Sequence, residues 1–488
     1  MPLPPKEITK KTWGAKMQGA KEIKELHLKP LLEVAALVRN RCISSVELTQ
    51  SLLRRIESLD GRQKSYATVM ADHALAAAER ADKELANQKY RGPLHGIPIA
   101  VKDVFFTRDV RTMGGTAVLA DHIPDEDATV VTRLAEAGAV LLGKLNLPEG
   151  AMAGYNPLFE IPLNPWNPGV WSGASSSGSG VATAAGLAYG TLGSDTGGSI
   201  RFPAACCGVV GLKPTWGRVS RYGVLALAES MDHVGPITRR TADAAVILQA
   251  IAGHDSKDPT SLPVSVPDML KHLEVGVKGV RIGFDEQATV QHTDEETAQA
   301  VEAGVRVLEQ LGAEVIEIQL PDLDEFLPAW PILCSAEAVL AHELNYPCRR
   351  KEYAPYFRQW LDMGAKVSGA EYARANNLRA TCNGRFREIF ETIDVLACPS
   401  MTGPPWPVTR KESYGGLPRD PSVQRFTIPF DFNGNPTLSV PCGTNQDGLP
   451  LSLQFVGHPL KEPLLCQVGH AYEQATEWHI LQPNLEEG

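Results

Sequence analysis

Between Ser172 and Gly180 the chain reads Ser-Gly-Ala-Ser-Ser-Ser-Gly-Ser-Gly, then runs without a charged residue through VATAAGLAYG to GSDTGGSIRFP at 193–203. A Gly/Ser tract by default joins polar surfaces as a flexible linker. This one is different, because the Ala, Val and Leu helix that follows carries no charge and has to be buried. The tract is drawn inside with it. Serine hydroxyls and free N–H groups at a buried helix start are costly unless something uses them. An anion or an oxyanion would use them.

The rest of the chain supplies the frame. From Ser44 to Leu85 apolar residues recur at three- and four-residue spacing (Leu48, Leu52, Leu53, Ile56, then Ala74, Ala77, Ala78, Ala81), which predicts amphipathic helices. Ile97 to Lys102 is short and β-branched, predicting a buried strand with Lys102 at its end. Asp127 can cap a helix carrying Val130, Val131 and Leu134 that stops at Gly138, before a strand over 139–142. The pattern recurs with a strand at 280–284, a helix opened by a capping box Thr293-x-x-Glu296 and closed near Gly312, and a strand at 314–318. Such alternation predicts a largely parallel sheet covered by helices. Residues 325–390 break the rhythm, being helical and rich in Trp330, Phe357, Trp360 and Tyr372, and are expected to form an insertion or cap over the site. Strands return near 394–397 and 438–441. Neither an internal repeat nor a long linker is evident, so the expected organisation is a polar extension over 1–26 and one domain over 27–488.

A chain of 488 residues with 43% apolar and 21% charged residues can bury a large core. A net charge of -10 would repel a phosphate backbone, which argues against nucleic acid as a ligand. The first residues lack the apolar stretch of an export signal, and the weakly polar run near 181–192 is too short to span a bilayer. Nine cysteines, odd in number and without a C-x-x-C pair, are read as reduced thiols of a cytoplasmic protein. None of the 12 histidines forms H-E-x-x-H, so neither a zinc site nor any cofactor is expected. Gly138 to Lys144 has phosphate-loop spacing, but Leu145 stands where a Mg²⁺-binding Ser or Thr is needed. Gly178-Ser-Gly180 starts a dinucleotide fingerprint that Thr183 breaks. No serine has glycine two residues before and two after it, so the α/β-hydrolase nucleophile elbow is absent.

GIPIAVKDV around Lys102, the tract at 172–180 and GSDTGGSIRFPAACCGVVGLKPT at 193–215 together resemble the three blocks of the amidase signature family. SSVELTQSLLRRI near the start, and TIPFDFNGNPTLSVPCG with GLPLSLQFVG near the end, extend the likeness over most of 30–475. The resemblance implies one α/β/α domain around a mixed, mostly parallel twisted sheet. It places the nucleophile at Ser199, a relay serine preceded by a cis peptide at Ser175, and the base at Lys102. It also places an oxyanion hole at the backbone N–H groups of Thr196, Gly197, Gly198 and Ser199. Each role has a physical reason. A serine needs a base to take its proton, no histidine lies near these motifs, and a lysine serves when burial disfavours its charged form.

Neighbouring residues have plainer readings beside the functional ones. Ser176 fits a helix cap as well as a donor behind the relay. Asp195 and Arg201 fit a pair that holds the glycine turn before they fit catalysis. Lys144 and Asp103 read as surface or packing charges, and Lys102 taken alone would be a solvated strand-end lysine. The sequence departs from the family at Ala174, where a second glycine is usual, and at Ser177. The alanine methyl requires a negative φ. The expected activity is cleavage of a small-molecule carboxamide through an acyl-enzyme on Ser199, with aryl amides, anilides or carbamates as candidates. The alternatives are the glutaminase subunit of a tRNA-dependent amidotransferase, or a non-catalytic scaffold. A homodimer is a family-level expectation.

Overall fold

The computed structural model describes residues 26–415 and 421–485, so the polar extension expected over 1–26 lies outside the described residues except for Leu26. Eleven strands form one sheet: β1 (Tyr66–Val69), β2 (Pro98–Lys102), β3 (Val140–Leu145), β4 (Gly190–Asp195), β5 (Val210–Lys213), β6 (His233–Thr238), β7 (Arg281–Phe284), β8 (Glu314–Glu317), β9 (Val395–Pro399), β10 (Thr437–Thr444) and β11 (Pro450–Gly457). Their order is β1-β3-β2-β4-β6-β5-β10-β11-β9-β7-β8. Strands β2 and β4 are buried along their whole length, as strands must be when both faces are covered. The main apolar core runs from Leu31 to Tyr472 and joins the two flanks of the sheet to the helices of 325–390, and two smaller clusters gather around Trp171 and Phe202 and around Val181 and Ile200.

The sheet is mixed, but it is not mostly parallel. Parallel pairing is confined to β3-β2-β4 on one flank and β9-β7-β8 on the other. The remaining six of the ten pairings, including all of those through the centre, are antiparallel. Parallel neighbours need a crossover of a dozen or more residues, usually a helix. Strands β10 and β11 instead form a hairpin closed at Asn445 and Leu449, and β5 and β6 are linked by a loop without a helix.

Two helix starts also differ from expectation. The helix Thr129–Glu136 has Ala128 at its cap position with no side-chain bond, and Asp127 accepts from the Arg108 amide instead. The helix Glu295–Gln310 is capped by Asp294, which accepts from the Thr297 amide, so the capping box at Thr293 is not the one used. Asp accepts from the third residue of the helix as well as Thr does, and the chain starts its turn one residue later.

Five helices matter for the site. Helix α1 (Ser177–Ala184) follows the Gly/Ser tract and α2 (Arg201–Cys207) follows the glycine turn. The expected helical stretch contains α3 (Ala329–Ala341), α4 (Pro355–Gly364) and α5 (Gly369–Phe390). Of its aromatics, Phe357 and Trp330 are buried, while Trp360 and Tyr372 are half-buried.

Candidate active site

Strands β2 and β4 are parallel neighbours, with Val101 opposite Leu192, so their C-terminal ends come side by side. Lys102 ends β2, and Ser194 and Asp195 end β4. Helix α1, which packs against both strands, brings Ser175 and Ser176 to the same edge. The crevice at the carboxyl ends of parallel strands is where α/β folds assemble sites.

Lys102 is not a solvated strand-end residue: its exposure is 0%. Its Nζ lies 2.7 Å from Ser175 Oγ, 2.9 Å from Ser194 Oγ and 3.1 Å from Ser176 Oγ. Burial pushes its amine down to about 7, against the pull of Asp195 and Asp232. The hydroxyls solvate the nitrogen without adding charge, so the neutral form becomes accessible near neutral pH. A neutral amine donates two hydrogen bonds and accepts one. Ser176 spends its own proton on the Ser194 carbonyl at 3.1 Å, so the accepted proton comes from Ser175 or Ser194, of which Ser175 is nearer. Ser176 occupies the cap position of α1 without a side-chain capping bond, and its hydroxyl serves the lysine instead.

The peptide between Ala174 and Ser175 is cis. Gly173 before it has φ +83°, and a Cβ there would lie 2.4 Å from Pro203 Cα. Ala174 keeps a negative φ and packs its methyl in a cluster with Trp171, Phe202 and Met401, so the departure from glycine is accommodated. Ser177 donates to or accepts from Tyr155 Oη at 2.6 Å.

Ser199, half-buried, sits in the turn before α2. Its carbonyl accepts from the Ser176 amide at 3.2 Å, which ties the nucleophile turn to the serine tract. Among the described residues its hydroxyl makes no hydrogen bond to Ser175. The structure thus brings Lys102 and Ser175 together, and it holds Ser199 next to them through the backbone.

The turn itself is built on charge. Asp195 accepts from the amides of Gly198 at 2.6 Å and Ile200 at 2.8 Å, and from the Arg201 guanidinium at 2.9 and 3.1 Å. Burial alone would raise the Asp195 carboxyl, but Arg201 and these donors hold it well below the usual range. Arg201, fully buried, also donates to Asp431 at 2.6 Å and to the Thr427 carbonyl at 2.9 Å. The Asp195–Arg201 pair binds the glycine turn through these bonds. It removes one expected oxyanion donor, because the Gly198 N–H is already engaged by Asp195. The amides of Thr196, Gly197 and Ser199 donate to no acceptor among the described residues.

Several neighbours reach the turn from segments whose sequence does not announce that contact, even where Trp330 and Thr427 themselves stand in stretches already noted. Trp330 Nε1 donates to the Thr196 carbonyl at 2.8 Å, and Thr427 Oγ1 to the Gly197 carbonyl at 2.9 Å. Gln424 Nε2 reaches the same Gly197 carbonyl at 3.4 Å. The Thr196 hydroxyl donates to Asp232 at 2.6 Å, a carboxyl that burial pushes up to about 6. Only their distance along the chain hides them. Asp103 and Lys144 form a fully buried pair at 3.1 Å and are packing charges, not surface ones.

Trp330 and Gln424 also line a cavity of about 540 Å³, walled by Met152, Leu327, Tyr356, Trp360 and Ile428. Among the described residues the charged member of the lining is Asp324, paired with Arg425 at 2.6 Å. The cavity is thus linked to the turn through Trp330 and Gln424, which hydrogen-bond to the Thr196 and Gly197 carbonyls. No group of side chains suited to hold a metal ion occurs among the described residues. Nor is any described helix long and apolar enough to cross a membrane.

A buried lysine wrapped in hydroxyls thus stands beside a serine turn whose amides meet no acceptor among the described residues. The chain belongs to the amidase signature family: the family described as Amidase matches residues 47–466. It is 46% identical to a Mycobacterium tuberculosis protein designated amidase AmiD, over 93% of this chain and 95% of that one. It is 41% identical to a glutamyl-tRNA(Gln) amidotransferase subunit from Thermosynechococcus vestitus, over 91% and 97% respectively. Among solved structures, the peptide amidase of Stenotrophomonas maltophilia superposes with a TM-score of 0.81 at 31% identity, covering 91% of this chain and 96% of that one.

Proposed function

We propose that this protein is a free-standing amidohydrolase for carboxamides that carry an apolar, aromatic-sized group. In this reading Ser199 is the nucleophile, Ser175 the relay and Lys102 the base. The observation that carries it is the fully buried Lys102 amine, 2.7 Å from the Ser175 hydroxyl. Rotation of the Ser199 hydroxyl toward Ser175 completes the path. As Ser199 Oγ bonds to the substrate carbonyl carbon, its proton passes to Ser175, and the Ser175 proton passes to Lys102. The carbonyl oxygen, now an anion, is received by the unpaired amides of Gly197 and its neighbours. Collapse breaks the C–N bond, and the lysine's extra proton returns through Ser175 to the leaving nitrogen. Water then enters by the same steps in reverse and frees Ser199 with the carboxylic acid.

The cavity supports the substrate class. Its described lining is mostly apolar and aromatic, with Ser422 and Gln424 as polar members and one carboxylate, Asp324, paired with Arg425. The described lining offers the α-carboxylate of glutamine no cation, whereas its apolar walls suit a ring. That observation favours a hydrolase of apolar amides over a glutaminase subunit. The intact lysine and serine set speaks against a scaffold without catalysis.

The test is labelling with a fluorophosphonate, together with rates on benzamide, acetanilide, a phenyl carbamate, an ester and glutamine. Wild type should be labelled and should prefer the aromatic amides, and Ser199→Ala should abolish both labelling and turnover. Labelling that persists in Ser199→Ala would refute the nucleophile. Glutamine as the best substrate would move the reading to the amidotransferase class.

A further inference from the structure

Trp330 belongs to two structures at once. Its indole N–H holds the Thr196 carbonyl, and its ring walls the apolar cavity together with Trp360, the two ring centroids 5.6 Å apart. The carbonyl of Thr196 and the N–H of Gly197 belong to one planar trans peptide unit, so they point in opposite directions. Fixing the carbonyl therefore fixes the amide. The next unit is fixed in the same way: Thr427 and Gln424 hold the Gly197 carbonyl, and the Gly198 N–H turns to Asp195. The Gly197 amide is thus oriented by a side chain yet left without an acceptor among the described residues, as is the Thr196 amide, whose peptide carbonyl on Asp195 lies 3.3 Å from His233 Nδ1. The indole also presses on that residue, since a Cβ at Gly197 would lie 2.9 Å from its ring atoms.

From this geometry we infer that Trp330 is a positioning residue that couples filling of the apolar cavity to the aim of the Gly197 amide at the oxyanion. This rests on the hydrolase reading above. An apolar group packed on the Trp330–Trp360 wall restrains the indole, and through one hydrogen bond it restrains the peptide plane that must meet the developing charge. Binding energy from a remote part of the substrate would then appear in kcat rather than in KM alone.

The test replaces Trp330 with Phe, which keeps a ring in the wall and removes the N–H, and compares acetamide, benzamide and acetanilide. For wild type, kcat should be about tenfold or more higher on the better aromatic amide than on acetamide. In Trp330→Phe, kcat should fall about tenfold to a hundredfold on all three. KM for the aromatic amides should change by less than about threefold, in line with a conserved ring. A Trp330→Phe enzyme with unchanged kcat and a raised KM would make Trp330 a pocket wall only and overturn the inference. Should the variant not fold, the wild-type series decides: an aromatic group that lowers KM and leaves kcat alone overturns the coupling. A wild type that is neither labelled by fluorophosphonate nor active on any amide would overturn the hydrolase reading and this inference with it. Activity without the kcat gain would overturn this inference alone.

Discussion

At the scale of the residue, the site turns on how a lysine is kept uncharged. Burial pushes Lys102 down to about 7, so activity should rise with pH through that value as the amine loses its proton, which a pH profile of kcat/KM will check. The same displacement has a sign for stability. Between about pH 7 and the ordinary lysine value of 10.5 the unfolded chain binds a proton that the folded site does not, so stability from this site climbs as pH rises through that window. Below it, ionising or desolvating the amine is a net cost. Lys102→Met should therefore be inactive and, below pH 7, more stable than wild type by a few kcal/mol, on the order set by about 1.4 kcal/mol per pH unit of displacement. Melting curves of both proteins at several pH values measure this. Lys213, also pushed down to about 7 by burial, is common to both proteins and cancels in the difference.

At the scale of the element, short-range chemistry explains what was legible in the sequence. β2, β3, β7, β8, β9 and β10 each carry a recognisable apolar run, and the charge-free stretch after Gly180 marks α1 as buried. The strand Tyr66–Val69 is hidden because its four residues, Tyr-Ala-Thr-Val, hold no uninterrupted run of β-branched apolar side chains. Ser175, Lys102 and Ser199 are readable because they stand in compact blocks. Trp330, Gln424, Thr427 and Asp232 reach the same turn from far along the chain, and no local pattern announces that. The mistaken capping box makes a direct test. Asp294→Ala should lower stability by about 1 kcal/mol, whereas Thr293→Ala leaves that cap intact, and denaturant unfolding of the two variants separates them.

At the scale of the whole molecule, the central antiparallel strands join two parallel flanks, and one side chain links early and late segments beneath the site. Arg201 meets Asp195 from its own turn, and then Thr427, Asp431 and Gln454 from the last fifth of the chain. All of these groups are buried. Replacing a buried partner strands the remaining charges, so Arg201→Met should cost about 3–5 kcal/mol and, with Asp195 released, should also loosen the nucleophile turn. The check is a urea titration beside fluorophosphonate labelling, both of which should be impaired.

The bond from the Ser176 amide to the Ser199 carbonyl has a dynamic consequence. It staples the two main-chain segments of the reaction centre to each other, leaving torsion about one Cα–Cβ bond as the motion the attack requires. Such a centre behaves as a fixed frame with a single swivelling arm, so bond making there should proceed at much the same pace in thick glycerol as in thin buffer.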